Sequence, residues 1–107
     1  LVDRPLTGAE AGAGPITCTL TPQIGALGLQ LDLTVPALGP DEVLAIETDD
    51  PAIWVSPPVL RRDGAHLTAL SDMIHAENDS FAFNRSTLRV TLIGNGQAIE
   101  MIGCAAG

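Results

Sequence analysis

Lysine and tyrosine are absent from this chain, and aromatics make up only 3% of its 107 residues. A base-stacking platform or an aromatic-lined sugar cleft needs several rings, so those functions have almost nothing to be built from. Positive charge is equally scarce. Five arginines (Arg4, Arg61, Arg62, Arg85 and Arg89) stand against 13 carboxylates, a net charge of −8. That balance repels phosphate backbones and anionic headgroups, so no nucleic-acid partner is expected. No apolar run is long enough to span a bilayer or has signal-peptide quality, and there is no initiator Met. The expectation is a mature or trimmed form without a transmembrane segment, whose export signal is not shown. A G-x-S-x-G elbow, an H-E-x-x-H pair, a C-x-x-C pair and a glycine-rich phosphate loop are all missing. A non-enzymatic protein with no cofactor is therefore expected, a small enzyme without a recognisable motif being one alternative.

What is there suffices for one core. Hydrophobic residues are 46% of the chain and charged residues 17%, a folding composition at the length of a single domain. The use of arginine alone for positive charge, with abundant alanine, glycine and proline, reads as a GC-rich bacterial source. The only two cysteines, Cys18 and Cys104, stand near opposite ends, each in an apolar-alternating run. They read as one structural disulfide, which places maturation in an oxidising compartment, periplasmic or extracellular. Closing so long a loop contributes on the order of 2–4 kcal/mol through the unfolded state.

Residues 1–15 have linker composition and are expected to be a flexible lead-in, with the folded domain over 16–107. Ile16, Cys18 and Leu20 alternate with Thr17, Thr19 and Thr21, a first strand with Cys18 on its apolar face. Leu27 to Val35 alternates most cleanly, as a half-buried antiparallel strand. Val43 to Ile46 reads as a strand in preference to a short helix capped by Asp41, and Asp49-Asp50-Pro51 as a turn. Ile53 to Val55 resumes strand character before Pro57-Pro58, a pair suited to a sheet edge. Asp63-Gly64 and Asn95-Gly96 are two-residue hairpin signals of type I′. The second sets Leu92 opposite Ile99, Val90 opposite Met101 and Thr91 opposite Glu100, with Arg89 diagonal to Glu100. This register puts Cys104 on the outer face, so Gly103 must re-aim it.

Counting runs gives an all-β, single-domain, immunoglobulin-like β-sandwich of about seven short strands, with the disulfide linking first and last strands, which lie parallel if they are neighbours. An internal-strand disulfide beside a buried Trp, usual in that architecture, is missing. Met73, His75, His66 and Met101 are the soft-ligand set, because thioether and imidazole suit copper in an oxidising compartment. Asp49-Asp50, Asp72, Glu77-Asn78-Asp79 and Asp41-Glu42 are the hard-oxygen set for calcium, although their spacing matches no EF-hand loop. In ordinary folds the methionines fill the core and such carboxylates are solvated turn residues. Asn78-Asp79-Ser80 and Asn84-Arg85-Ser86 read as turns. The expected function is an exported bacterial binding, adaptor or structural module with a protein or cell-envelope partner, a copper or calcium carrier being the alternative. Strand pairing at an edge is the expected route of recognition, with Ile16 to Leu20 the favoured edge if its outer rim is free.

Overall fold

Strands that are apolar on one face only must stack against a second sheet to dry that face. In the computed structural model, which describes residues 4–77 and 81–107, ten strands do this. They are β1 (Leu6–Thr7), β2 (Thr17–Gln23), β3 (Ala26–Thr34), β4 (Val43–Glu47), β5 (Ile53–Val55), β6 (Val59–Asp63), β7 (His66–His75), β8 (Arg89–Gly94), β9 (Gln97–Ile102) and β10 (Ala105–Ala106). One sheet has the order β1-β9-β8-β4 and the other β10-β2-β3-β7-β5, with β6 also paired to β7. Between them lies a core that includes Cys18, Leu29, Leu31, Leu33, Leu67, Met73, Val90, Leu92 and Ile99. The chain is an all-β sandwich, as its alternation predicts. Trp54, on β5, is 57% exposed and takes no part in that core. No helix among the described residues is long and apolar enough to cross a membrane.

The β8–β9 hairpin has the expected register: Leu92 faces Ile99, Val90 faces Met101 and Thr91 faces Glu100. Its turn residues Asn95 and Gly96 have φ of 53° and 75°, both positive as a type I′ turn requires. Arg89 Nε lies 3.8 Å from Glu100 Oε2. Val43 to Glu47 is indeed a strand, laddered along β8 from Ile93 to Arg89.

Two expectations need correction. The β6–β7 turn consists of Gly64 and Ala65, with Asp63 paired to His66. Only Gly64 there has positive φ, at 60°, so glycine occupies the first turn position, the type II′ arrangement, and Asp63 remains in the ladder. Residues 4–15 are held against the sandwich as well. Leu6 and Thr7 pair in parallel with Ile99 and Glu100, and Gly14 N–H donates to Thr34 carbonyl at 2.8 Å. The segment's small residues permit this close approach: a Cβ at Gly8 would stand 3.1 Å from Met101 Cγ, and one at Gly14 3.3 Å from Thr34 Cβ. Strand β7 runs unbroken from His66 to His75.

Replacing Gly96 by Val forces a β-branched residue toward positive φ and is expected to destabilise the fold by about 1 kcal/mol or more. Denaturant titration of the variant measures this, and an unchanged midpoint would reject the turn assignment.

Candidate functional site

A sandwich has two flanks where its sheets do not join, and here they differ. On the first, β9 ends at Ile102 and the chain crosses from one sheet to the other. Gly103 makes the crossing with φ of 87°, its N–H donating to Leu88 carbonyl at 2.7 Å, while Cys104 N–H donates to Arg85 carbonyl at 3.0 Å. That positive φ turns Cys104 inward, as the register problem demands. Cys18 and Cys104 form a disulfide with Cα atoms 5.7 Å apart; Cys18 is fully buried. Strand β10 then runs parallel beside β2, Ala105 opposite Thr17 and Ala106 opposite Cys18. Ala105 N–H donates to Ile16 carbonyl at 2.9 Å and Gly107 N–H to Cys18 carbonyl at 3.1 Å. The favoured docking edge is thereby corrected: the outer rim of Ile16 to Cys18 is taken by the chain's own β10. An open cavity of about 550 Å³ beside the staple is walled by Gly8, Gly14, Ile16, Met101 and Cys104, among others.

On the second flank β4 faces β5 and β6 across a groove of about 420 Å³, lined by Leu44, Ile46, Val55, Pro57, Pro58 and Leu60. Glu42 forms part of its wall. Arg62 reaches across from β6 and donates to Glu42 through Nε at 2.7 Å and Nη2 at 2.6 Å, with Nη1 donating to Val35 carbonyl at 2.8 Å. Leu38 N–H also donates to Glu42, at 2.9 Å. Burial pushes the Glu42 carboxyl up, but the Arg62 hydrogen bonds, then that of Leu38, and the charge of Arg62 outweigh it and hold the group below its ordinary value.

The soft-ligand set is not assembled. His66 and His75 occupy opposite ends of the ten-residue β7, Met73 is fully buried in the core, and Met101 lies in the other sheet. His75 Nε2 is 3.1 Å from Asp50 Oδ2, and its Nδ1 accepts the Glu77 N–H at 3.2 Å. That pattern places the proton on Nε2, donated to Asp50. His66 Nε2 sits 3.3 Å from Asp32 Oδ1. Among the described residues no three His, Cys, Asp or Glu side chains are grouped as metal ligands. Of the carboxylates, Asp50 Oδ1 accepts the Ala52 N–H at 2.9 Å and shapes the turn at Pro51. Asp79, with Asn78 and Ser80, lies outside the described residues. Asn84 caps a short 3-10 turn over Arg85–Thr87 by accepting the Ser86 N–H.

The sequence reading missed one surface, the outer face of β5, β6 and β7. There Trp54 stands opposite Ile74 and Val59 opposite Leu70, all four exposed. Period-2 parity carries the signal, since Ile53 and Val55 turn inward and leave Trp54 outside.

No protein-family model matches the chain, and no curated protein matches it either. Among solved structures it resembles the crystal structure of the N-terminal periplasmic domain of ScsB from Proteus mirabilis, with a TM-score of 0.67 at 13% sequence identity. The likeness covers 96% of this chain and 40% of that one. At that identity what the two share is a fold.

Reduction of the disulfide is expected to lower stability by about 2–4 kcal/mol while leaving the sandwich topology intact. Thermal unfolding with and without reductant, alongside circular dichroism of the reduced chain, measures both halves of that statement. For the ion pair the sign follows from the lowered Glu42 carboxyl: its contribution is complete above the ordinary value of 4.5 and is lost as pH falls through the lower folded value. Arg62→Gln leaves burial unopposed by the guanidinium. Its expected cost is about 1–3 kcal/mol near neutral pH, less than for a fully buried pair because the Arg62 side chain is 20% exposed. Urea titrations at neutral pH and well below 4.5 should show this cost shrinking in acid. A cost independent of pH would remove Glu42 from the account.

Proposed function

We propose that the chain is an exported, non-enzymatic domain of the bacterial envelope, periplasmic or secreted, serving as a protein-binding or adaptor module. The observation that carries this reading is the Cys18–Cys104 disulfide, which locks the sheet-to-sheet crossing and persists only where thiols are oxidised. The sandwich fold shared with a periplasmic domain supports the same compartment. Support for a non-catalytic role comes from how the reactive side chains are used. His75 is spent on Asp50 and Glu77, Arg62 on Glu42 and Val35, and both cysteines on each other.

Thiol trapping tests the compartment. Chain taken from its native host under denaturing conditions should resist alkylation until reductant is added. Two alkylated thiols before reduction would overturn export. Anaerobic copper(I) and calcium titrations test the carrier alternative. Neither ion is expected to raise the melting temperature, because an ion bound selectively by the folded chain must do so.

A further inference from the structure

We propose that β4 is a docking edge, and that its occupant is an extended segment of another protein, apolar at alternate positions and basic at both ends. The segment adds a fifth strand to the four-stranded sheet, an inference that rests on reading the chain as a protein-binding module. The edges of the sandwich differ in how they are protected against such pairing. Strands β1 and β10 have two residues each, β2 is overlaid by β10 and carries Pro22, and the β5–β6 edge is broken at Pro57-Pro58. Very short strands, prolines and covering segments are the usual protections of an edge. Strand β4, Val-Leu-Ala-Ile-Glu, has none of them.

Its free hydrogen-bonding groups can be assigned. The two-residue turn at Asn95-Gly96 makes Gly94 and Gln97 a hydrogen-bonded pair, and alternation along β8 then directs Leu92 and Val90 to β9 and Ile93, Thr91 and Arg89 to β4. The Glu100 carbonyl, which this pattern aims away from β8, does accept the Gly8 N–H at 3.1 Å. Val43, Ala45 and Glu47 are therefore spent on β8. Leu44 and Ile46 direct their N–H and C=O groups to the flank away from β8, where no backbone group among the described residues meets them; Leu44 is 3% exposed and Ile46 half-buried, so this rim is recessed behind the groove. Beside this rim runs the apolar groove of about 420 Å³ between β4 and the Val55-to-Leu60 wall. Alternate side chains of an added strand would enter it.

Charge selects the occupant. Exposed carboxylates of Asp41 and Asp49 flank the strand within a chain of net charge −8. A second copy is a poor fit. The antiparallel register that pairs Leu44 with Ile46 of another copy sets Asp41 against Asp49 and Val43 against Glu47, so acidic ends meet acidic ends. A segment with arginine or lysine on either side of its apolar stretch meets opposite charge at both ends.

The probe is a peptide, acetyl-RRVTVTVRR-amide, with acetyl-EEVTVTVEE-amide as its charge-reversed counterpart. Saturating basic peptide is expected to slow hydrogen exchange of the Leu44 and Ile46 amides at least about tenfold, with binding weakened by added salt. The acidic peptide should leave them unchanged. The Asp41→Lys/Asp49→Lys variant, altered only at exposed positions, should unfold at the same temperature and reverse this preference. Protection at Thr19–Gln23 or at β5 and β6 would overturn the assignment to β4 while leaving a protein-binding module standing. Slow exchange at β4 without peptide, together with a dimer in solution, would transfer the edge to a second copy and overturn the basic partner. Absence of protection at any edge would overturn the docking proposal alone, since export is read independently by thiol trapping.

Discussion

The structure depends on one crossing. At Gly103 the chain leaves the sheet that contains β9 and enters the one that contains β2, and the disulfide between Cys18 and Cys104 holds it there. The closed loop joins residues 86 apart in sequence, so the bond chiefly limits the freedom of the unfolded chain. Its position adds a structural consequence: with Cys104 anchored on Cys18, β10 lies along β2 and takes the hydrogen bonds of Ile16 and Cys18. The staple thus ties the sheets together on one flank and also covers a strand edge.

The opposite flank has no such closure along its length. Arg62 spans the sheets at Glu42 and reaches the Val35 carbonyl, an arrangement in which a guanidinium satisfies a partly buried carboxylate by two bonds. Beside that clamp lies the groove walled by β4 and the Pro57-Pro58 segment. Prolines blunt one wall and leave the other as a regular strand. The molecule is thus asymmetric, closed by covalent chemistry on one flank and open beside an unprotected edge on the other.

Much of this arrangement is legible in the sequence. The alternation of Leu27 to Val35 identifies β3, and the Asn95-Gly96 turn sets the β8–β9 register residue by residue, because a two-residue turn leaves no slack in pairing. The disulfide follows from the number and placement of the cysteines, and the need for Gly103 to re-aim Cys104 follows from parity. The Asp63-Gly64 dipeptide points one position too early, because a glycine serves equally as the second residue of a type I′ turn or the first of a type II′ turn. The segment after Arg4 resembles a linker in sequence because its contacts with the sheets use backbone groups and small side chains, which leave no hydrophobic period. The groove and its clamp were invisible for a different reason. Arg62, on β6, and Glu42, just before β4 of the other sheet, are twenty residues apart, and no local pattern joins them.

By itself the sequence determined an acidic, aromatic-poor, stapled β-sandwich, since charge, composition, cysteine number and period-2 alternation are properties of the chain that pairing does not alter. Tertiary structure alone decided which edges are covered and which are open, and that His66 and His75 stand apart while Arg62 and Glu42 meet. The reason is physical. Alternation specifies which face of a strand is buried, but a strand's neighbours depend on the path of the chain between sheets. That path turns on a single glycine whose positive φ sends Cys104 inward.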